Sequence, residues 1–139
     1  MEYSCKVPCA KDNLKDIRKF VNDALHNHGL SDLDISTLVL AIDEVCANLI
    51  IHSHQCNPNE SLEVVVIIEE NKGITFKIID TGSGFDINQY VEPSIDELVT
   101  KKRKGGVGLI LVKKIMDDIE FEKVKDTNCC KLFKKIPVK

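Results

Sequence analysis

No apolar stretch in this chain is long enough to span a bilayer. The bulkiest run, around Val64, is short and flanked by Glu63 and Glu69. The amino terminus, Met1-Glu2-Tyr3-Ser4-Cys5, lacks the basic-then-apolar pattern of an export signal. Net charge is only -3, which gives no general attraction to nucleic acid. Six cysteines are present, but none stands in a Cys-x-x-Cys pair, so their spacing writes neither a zinc ribbon nor a disulfide framework. Internal repeats, low-complexity tracts and domain linkers are also missing. What remains is a cytoplasmic globular protein with no expected membrane or direct nucleic-acid contact. Its 139 residues, 43% hydrophobic and 29% charged, are read as one domain over 1–139 that buries its core without disulfide or metal. The cysteines are then free thiols serving as small buried apolar groups. His52, His54 and Cys56 make a loose His-x-His-x-Cys set, a weak zinc signal because no second half-site follows.

Glu2 to Val7 reads as a strand ending at Pro8. Asp12 or Asn13 caps a helix with apolar residues at Leu14, Ile17, Val21 and Leu25, stopped by Gly29. Ser31 caps the next helix, with Asp34 in a variant capping box. That helix carries two stripes. Ile35, Leu38, Ile42, Val45 and Leu49 form the core face, and Thr37, Ala41, Glu44, Asn48 and His52 lie roughly 100° away. Asn57-Pro58 ends it. Leu62–Glu69 and Ile74–Ile79 form a hairpin around Asn71-Lys72-Gly73. The polar stretch from Asp80 to Lys104 is too long for an ordinary connection and is either a functional lid or a flexible loop, with room for a short helix over 94–100. Gly108–Met116 is helical. Ile119–Lys125 and Cys129–Ile136 close the chain as a second hairpin around Asp126-Thr127-Asn128. The order β-α-α-β-β-lid-α-β-β predicts an α/β (α+β) two-layer sandwich, with a mixed, largely antiparallel sheet and helices on one face.

Two glycine clusters and one helical pair carry the chemistry. Asp80-Thr81-Gly82-Ser83-Gly84 follows a strand directly. Gly82 and Gly84 let a flat ligand approach the main chain, and Asp80 offers an acceptor for an exocyclic amine. Gly105, Gly106, Val107, Gly108 and Leu109 open a helix, where backbone N–H groups and the helix dipole favour phosphate. The basic run 101–104 lies just upstream, with Arg103 and Lys104 nearest the loop. Asn48 offers an amide oxygen suited to Mg²⁺, and Glu44, one turn earlier, is placed to accept a proton. Each feature alone reads as an ordinary turn, a solvated loop or surface helix residues; the three in this order point to one nucleotide site. A P-loop is excluded because no Gly-x-x-x-x-Gly-Lys-Ser/Thr occurs. A dinucleotide fingerprint is excluded because Ile87 stands where the third glycine belongs.

This arrangement resembles the ATP-binding fold of gyrase, Hsp90, MutL-type and histidine-kinase ATPases, over nearly the whole chain. The helix with Glu44 and Asn48 matches its N box, 80–84 its first glycine box and 105–109 its second. The nearest resemblance is to the small anti-sigma serine kinases of bacterial stress and sporulation switches, through Gly106-Val-Gly-Leu-Ile-Leu-Val-Lys-Lys-Ile-Met-Asp117. The resemblance implies a histidine-kinase-like ATPase fold that binds ATP and Mg²⁺. It implies that Glu44 is the general base, Asn48 the Mg²⁺ ligand and Asp80 the adenine reader, with Gly82 and Gly84 shaping the base pocket. Gly106 and Gly108 would hold phosphates, and His52 occupies a position often filled by histidine. It implies serine/threonine kinase activity on an anti-anti-sigma (STAS-type) protein, binding of a sigma factor, and a homodimer. The family often has a threonine near the adenine on its final strand, where this chain has Cys129, Cys130 and Lys131. A nucleotide-dependent protein-binding module with little catalysis is the alternative. A severed piece of a larger ATPase is a third reading, and it would need a further domain after the nucleotide fold.

Overall fold

A computed structural model describes residues 1–50, 59–81, 106–124 and 127–138. The short helix expected over 94–100, the lid and the His52-His54-Cys56 set lie outside the described residues.

Strand β1 (Glu2–Pro8) leads through a 3₁₀ turn (Lys11–Asn13) into α1 (Leu14–Leu25) and then α2 (Asp32–Asn48). The β2 (Ser61–Glu69) and β3 (Gly73–Thr81) hairpin follows, then α3 (Gly106–Ile115), β4 (Asp118–Val124) and β5 (Thr127–Lys134). The strands form one sheet in the order β1-β2-β3-β5-β4, and all four pairings are antiparallel.

Inward-facing apolar positions line up strand by strand. In β2, Leu62, Val64, Val66 and Ile68 are buried. The register sets Val64 beside Ile78 and Val66 beside Phe76 on β3, and Phe76 beside Leu132 on β5. One continuous apolar face results. It packs into the same cluster as Ile17, Val21 and Leu25 of α1 and the α2 stripe Ile35, Leu38, Ile42 and Val45. Full burial of a side chain such as Phe76 contributes roughly 1.5–3 kcal/mol. On the opposite face Lys6, Glu120 and Lys131 are exposed, so the described helices occupy one side of the sheet.

Local chemistry sets the element ends. Ser31 Oγ accepts from the Asp34 N–H at 3.1 Å, as the capping pattern requires. Asn13 does not cap α1 with its side chain. It already has helical torsions at the end of the 3₁₀ turn, and its amide donates to the Pro8 carbonyl at 3.2 Å. Helix α1 stops at Leu25, before the expected Gly29, because His26 is extended and Asn27 takes a positive φ of 69°. Gly73 closes the β2–β3 turn at φ 146°, where an added Cβ would collide with the Lys134 carbonyl.

The final hairpin needs one correction. Thr127 and Asn128, expected in the turn, are the first residues of β5. They pair with Thr81 and Asp80 on β3. The inward alternation of Cys130 and Leu132 extends one step back, to Asn128.

Candidate functional site

Three polar side chains are buried among the described residues: Asn48, Asp80 and Asn128, at 6%, 3% and 0% exposure. Buried polar groups destabilise a fold unless something satisfies them, so their placement is informative. Asp80 and Asn128 are direct cross-strand partners on the helix-facing side of β3 and β5. Asn48 ends α2 on the helix layer.

A set of thiols joins the two layers at this end. The Cys46 thiol, one turn beyond Asp43 on α2 and two residues from Asn48, is fully buried. Burial pushes its pKa well up, and Cys130 and Cys9 are close enough to add to the effect. Burial raises Cys9 to about 11 with a contribution from Asp80, and raises Cys130 to about 12 with contributions from Cys129 and Asp80. Cys46 thus neighbours two thiols that each sense Asp80. The Asn48 end of α2 is therefore drawn to the Asp80 end of the sheet. The five described cysteines are free thiols, three of them buried, as expected of small apolar fillers. No metal-binding cluster of His, Cys, Asp or Glu occurs among the described residues.

Within α2, the Asn48 side-chain N–H donates to the Glu44 carbonyl oxygen at 2.7 Å. That bond uses the nitrogen end of the carboxamide and turns Oδ1 the other way, as a single hard oxygen. Mg²⁺ takes one or two protein oxygens and fills its remaining positions with phosphate oxygens and water, so this donor fits it. Just past Asn48 the helix widens into a π turn at Leu49 and Ile50, a feature frequent at functional sites.

The Glu44 carboxyl is half-buried, and its pKa is raised, first by burial and then by the charge of Asp43. Asp43 is held by Arg18 of α1 at 3.0 Å. A carboxylate with raised proton affinity is a better proton acceptor than an ordinary surface glutamate.

The remaining expected site residues divide by position. Gly82, Gly84, Arg103, Lys104 and Gly105 lie outside the described residues. Gly106, Val107, Gly108 and Leu109 form the first turn of α3, which packs against α2. Sequence reasoning missed Asn128. The signal was present in the period-two pattern Asn128-x-Cys130-x-Leu132, hidden by the turn-like composition of Asp126-Thr127-Asn128.

Comparison with known proteins gives four findings. Residues 7–134 match the histidine kinase-like ATPase domain family. The serine-protein kinase RsbW of Oceanobacillus iheyensis is 30% identical over 122 residues, spanning 83% of this chain and 75% of that protein. The RsbW of Bacillus thuringiensis is 29% identical over 119 residues, spanning 83% and 73%. Among solved structures, one of RsbU and RsbW domains from Mycobacterium tuberculosis superposes with a TM-score of 0.67 at 12% identity. It covers 97% of this chain and 32% of the longer one, and at that identity it speaks to the fold alone.

Proposed function

The chain belongs to the histidine kinase-like ATPase domain family, and from that premise we propose that it is an ATP- and Mg²⁺-dependent protein serine/threonine kinase acting in a bacterial signalling switch. Its substrate on this reading is a small anti-anti-sigma (STAS-type) protein, and its second partner is a sigma factor that it sequesters, as a cytoplasmic homodimer. The similarity to serine-protein kinases over 83% of the chain supports the reaction class.

The observation that carries the reading is Glu44: a half-buried carboxylate of raised proton affinity, one turn before Asn48, on the helix drawn to Asp80. A module that only binds nucleotide has no use for such a base. In the reaction, the Glu44 carboxylate takes the proton of the substrate serine hydroxyl. The serine oxygen bonds to the γ-phosphorus as the bond from that phosphorus to the β–γ bridging oxygen breaks, and ADP leaves with that oxygen. Asp80 accepts from the adenine amine. Asn48 Oδ1 would hold the Mg²⁺, which supplies charge neutralisation at the phosphates. The backbone N–H groups opening α3, with Gly105, Gly106 and Gly108, would cradle the phosphates, Arg103 or Lys104 would offset their charge, and Gly82 and Gly84 would shape the base pocket.

The deciding experiment incubates the protein with γ-labelled ATP, Mg²⁺ and STAS-type proteins from neighbouring genes. Label on a partner serine, lost in Glu44→Ala while ATP binding survives, supports the kinase. Partner binding that depends on ATP, with no label transferred, would replace it with the nucleotide-gated binding module.

A further inference from the structure

Strand β1 closes one side of the sheet, so one of its edges meets no other strand among the described residues. The Ile68 N–H donates to the Met1 carbonyl at 2.8 Å and the Cys9 N–H to the Glu60 carbonyl at 2.9 Å, which sets the phase of the ladder: odd-numbered residues turn their main-chain groups to β2. Glu2, Ser4, Lys6 and Pro8 therefore turn theirs to the open edge. Pro8 has no N–H, and its carbonyl already accepts from the Ala10 N–H and from Asn13 Nδ2. The edge free to pair is thus made of the N–H and C=O groups of Glu2, Ser4 and Lys6. Their side chains are exposed and share the sheet face turned away from the helices.

An open edge recruits further strands unless it is guarded, and lysine is a common guard. Here the sequence cancels its own guard. In an antiparallel second copy related by a two-fold axis at Ser4, Glu2 stands opposite the partner's Lys6. Every open group is then used: Ser4 exchanges both bonds with the partner's Ser4, and Glu2 and Lys6 exchange theirs with the partner's Lys6 and the partner's Glu2. Opposite charges meet twice on the outer face, while half-buried Tyr3 meets the partner's Cys5 on the other. Centring on Glu2 or Lys6 would oppose like charges, and centring on Tyr3 or Cys5 would set Ser4 against a charge and pair no opposite charges. The edge at β4 exposes Asp118, Glu120 and Glu122, so self-pairing there opposes carboxylates.

We propose that β1 is the dimerisation strand, through which two copies of this chain join their five-stranded sheets edge to edge about Ser4, with the Glu2–Lys6 pairs fixing the register. This deepens the homodimer part of the proposed function and rests on it; the kinase reading stands apart.

The test is sedimentation equilibrium of the full chain as wild type, Glu2→Lys, Lys6→Glu, the double variant Glu2→Lys/Lys6→Glu, and an equimolar mixture of the two single variants. Wild type should dimerise. Each single variant opposes like charges twice and should dimerise at least about tenfold more weakly. The mixture and the double variant restore both opposite-charge pairs and should dimerise as tightly as wild type. Rescue by mixing also shows that each single variant is folded. Single variants that dimerise as tightly as wild type, or a mixture no tighter than its components, would overturn the role of β1 while leaving the homodimer standing. A wild type that stays monomeric at every concentration would overturn both together.

Discussion

Asn48 turns its side-chain amide back onto the carbonyl oxygen of Glu44, 2.7 Å away, so the residue expected to hold a cation and the residue expected to take a proton are fixed to each other through one helical turn. The bond selects one orientation of the carboxamide and pre-sets its oxygen before any ligand arrives. Such preorganisation lowers the ordering cost of binding.

Asn48→Ala removes that oxygen and leaves the helix intact, since alanine is the best helix former. Nucleotide affinity in the presence of Mg²⁺ should fall at least about tenfold, comparable to the loss seen when metal sites are weakened. Affinity measured with a chelator should change little. Calorimetry with and without Mg²⁺ separates the two, and an unchanged Mg²⁺ dependence would remove Asn48 from the metal site.

Glu44→Gln keeps the size and the hydrogen-bonding reach of the side chain but abolishes its capacity to accept a proton. Serine phosphorylation should drop by about 10²–10⁴, the range of general-base contributions, with ATP affinity within about threefold of wild type. Single-turnover transfer measured beside equilibrium binding checks this. A variant that phosphorylates at the wild-type rate would show that Glu44 is a structural carboxylate.

Ser31→Ala tests whether α2 is anchored as its first turn implies. The hydroxyl satisfies the Asp34 N–H at 3.1 Å, and its loss should cost about 1 kcal/mol of folding stability. Urea denaturation gives the value. Because the cap lies more than three turns from Glu44, ATP affinity should be unaffected.

Much of this architecture was legible because local signals agreed. In α2, the serine cap and the core stripe both indicated one helix, and Ile35, Leu38, Ile42, Val45 and Leu49 are all buried. The Glu44–Asn48 spacing needed only helical geometry. Asn128 was not legible for the opposite reason. Asp-Thr-Asn is turn chemistry by composition, and only pairing with β3, an interaction across nearly fifty residues, makes its second and third members strand. The end of α1 was missed in the same way, since positive φ at Asn27 pre-empts the glycine two residues later. Convergence of α2 on the Asp80 end of the sheet is likewise tertiary, carried by thiols whose spacing in the chain announces nothing.

Those thiols give a pH signature of the folded state. In the unfolded chain a cysteine ionises near its ordinary value of 9.0, whereas the folded protein holds Cys9 protonated to about 11 and Cys130 to about 12. Between those limits the folded state binds more protons than the unfolded state, so stability is fully present below pH 9 and is lost as pH rises through the window. Each thiol steepens the loss by at most about 1.4 kcal/mol per pH unit. Denaturant midpoints should therefore be flat from neutrality to about pH 9 and fall toward about pH 11, beyond what lysine deprotonation in both states can explain. Cys9→Ala should make the fall shallower without changing the plateau slope. The same burial should leave Cys9, Cys46 and Cys130 slow to alkylate at neutral pH until denaturant is added. A midpoint that stays level through pH 11, or alkylation of the native protein as fast as of the unfolded chain, would mean that the thiols do not sit between α2 and the Asp80 end of the sheet. The convergence inferred from them would then fail.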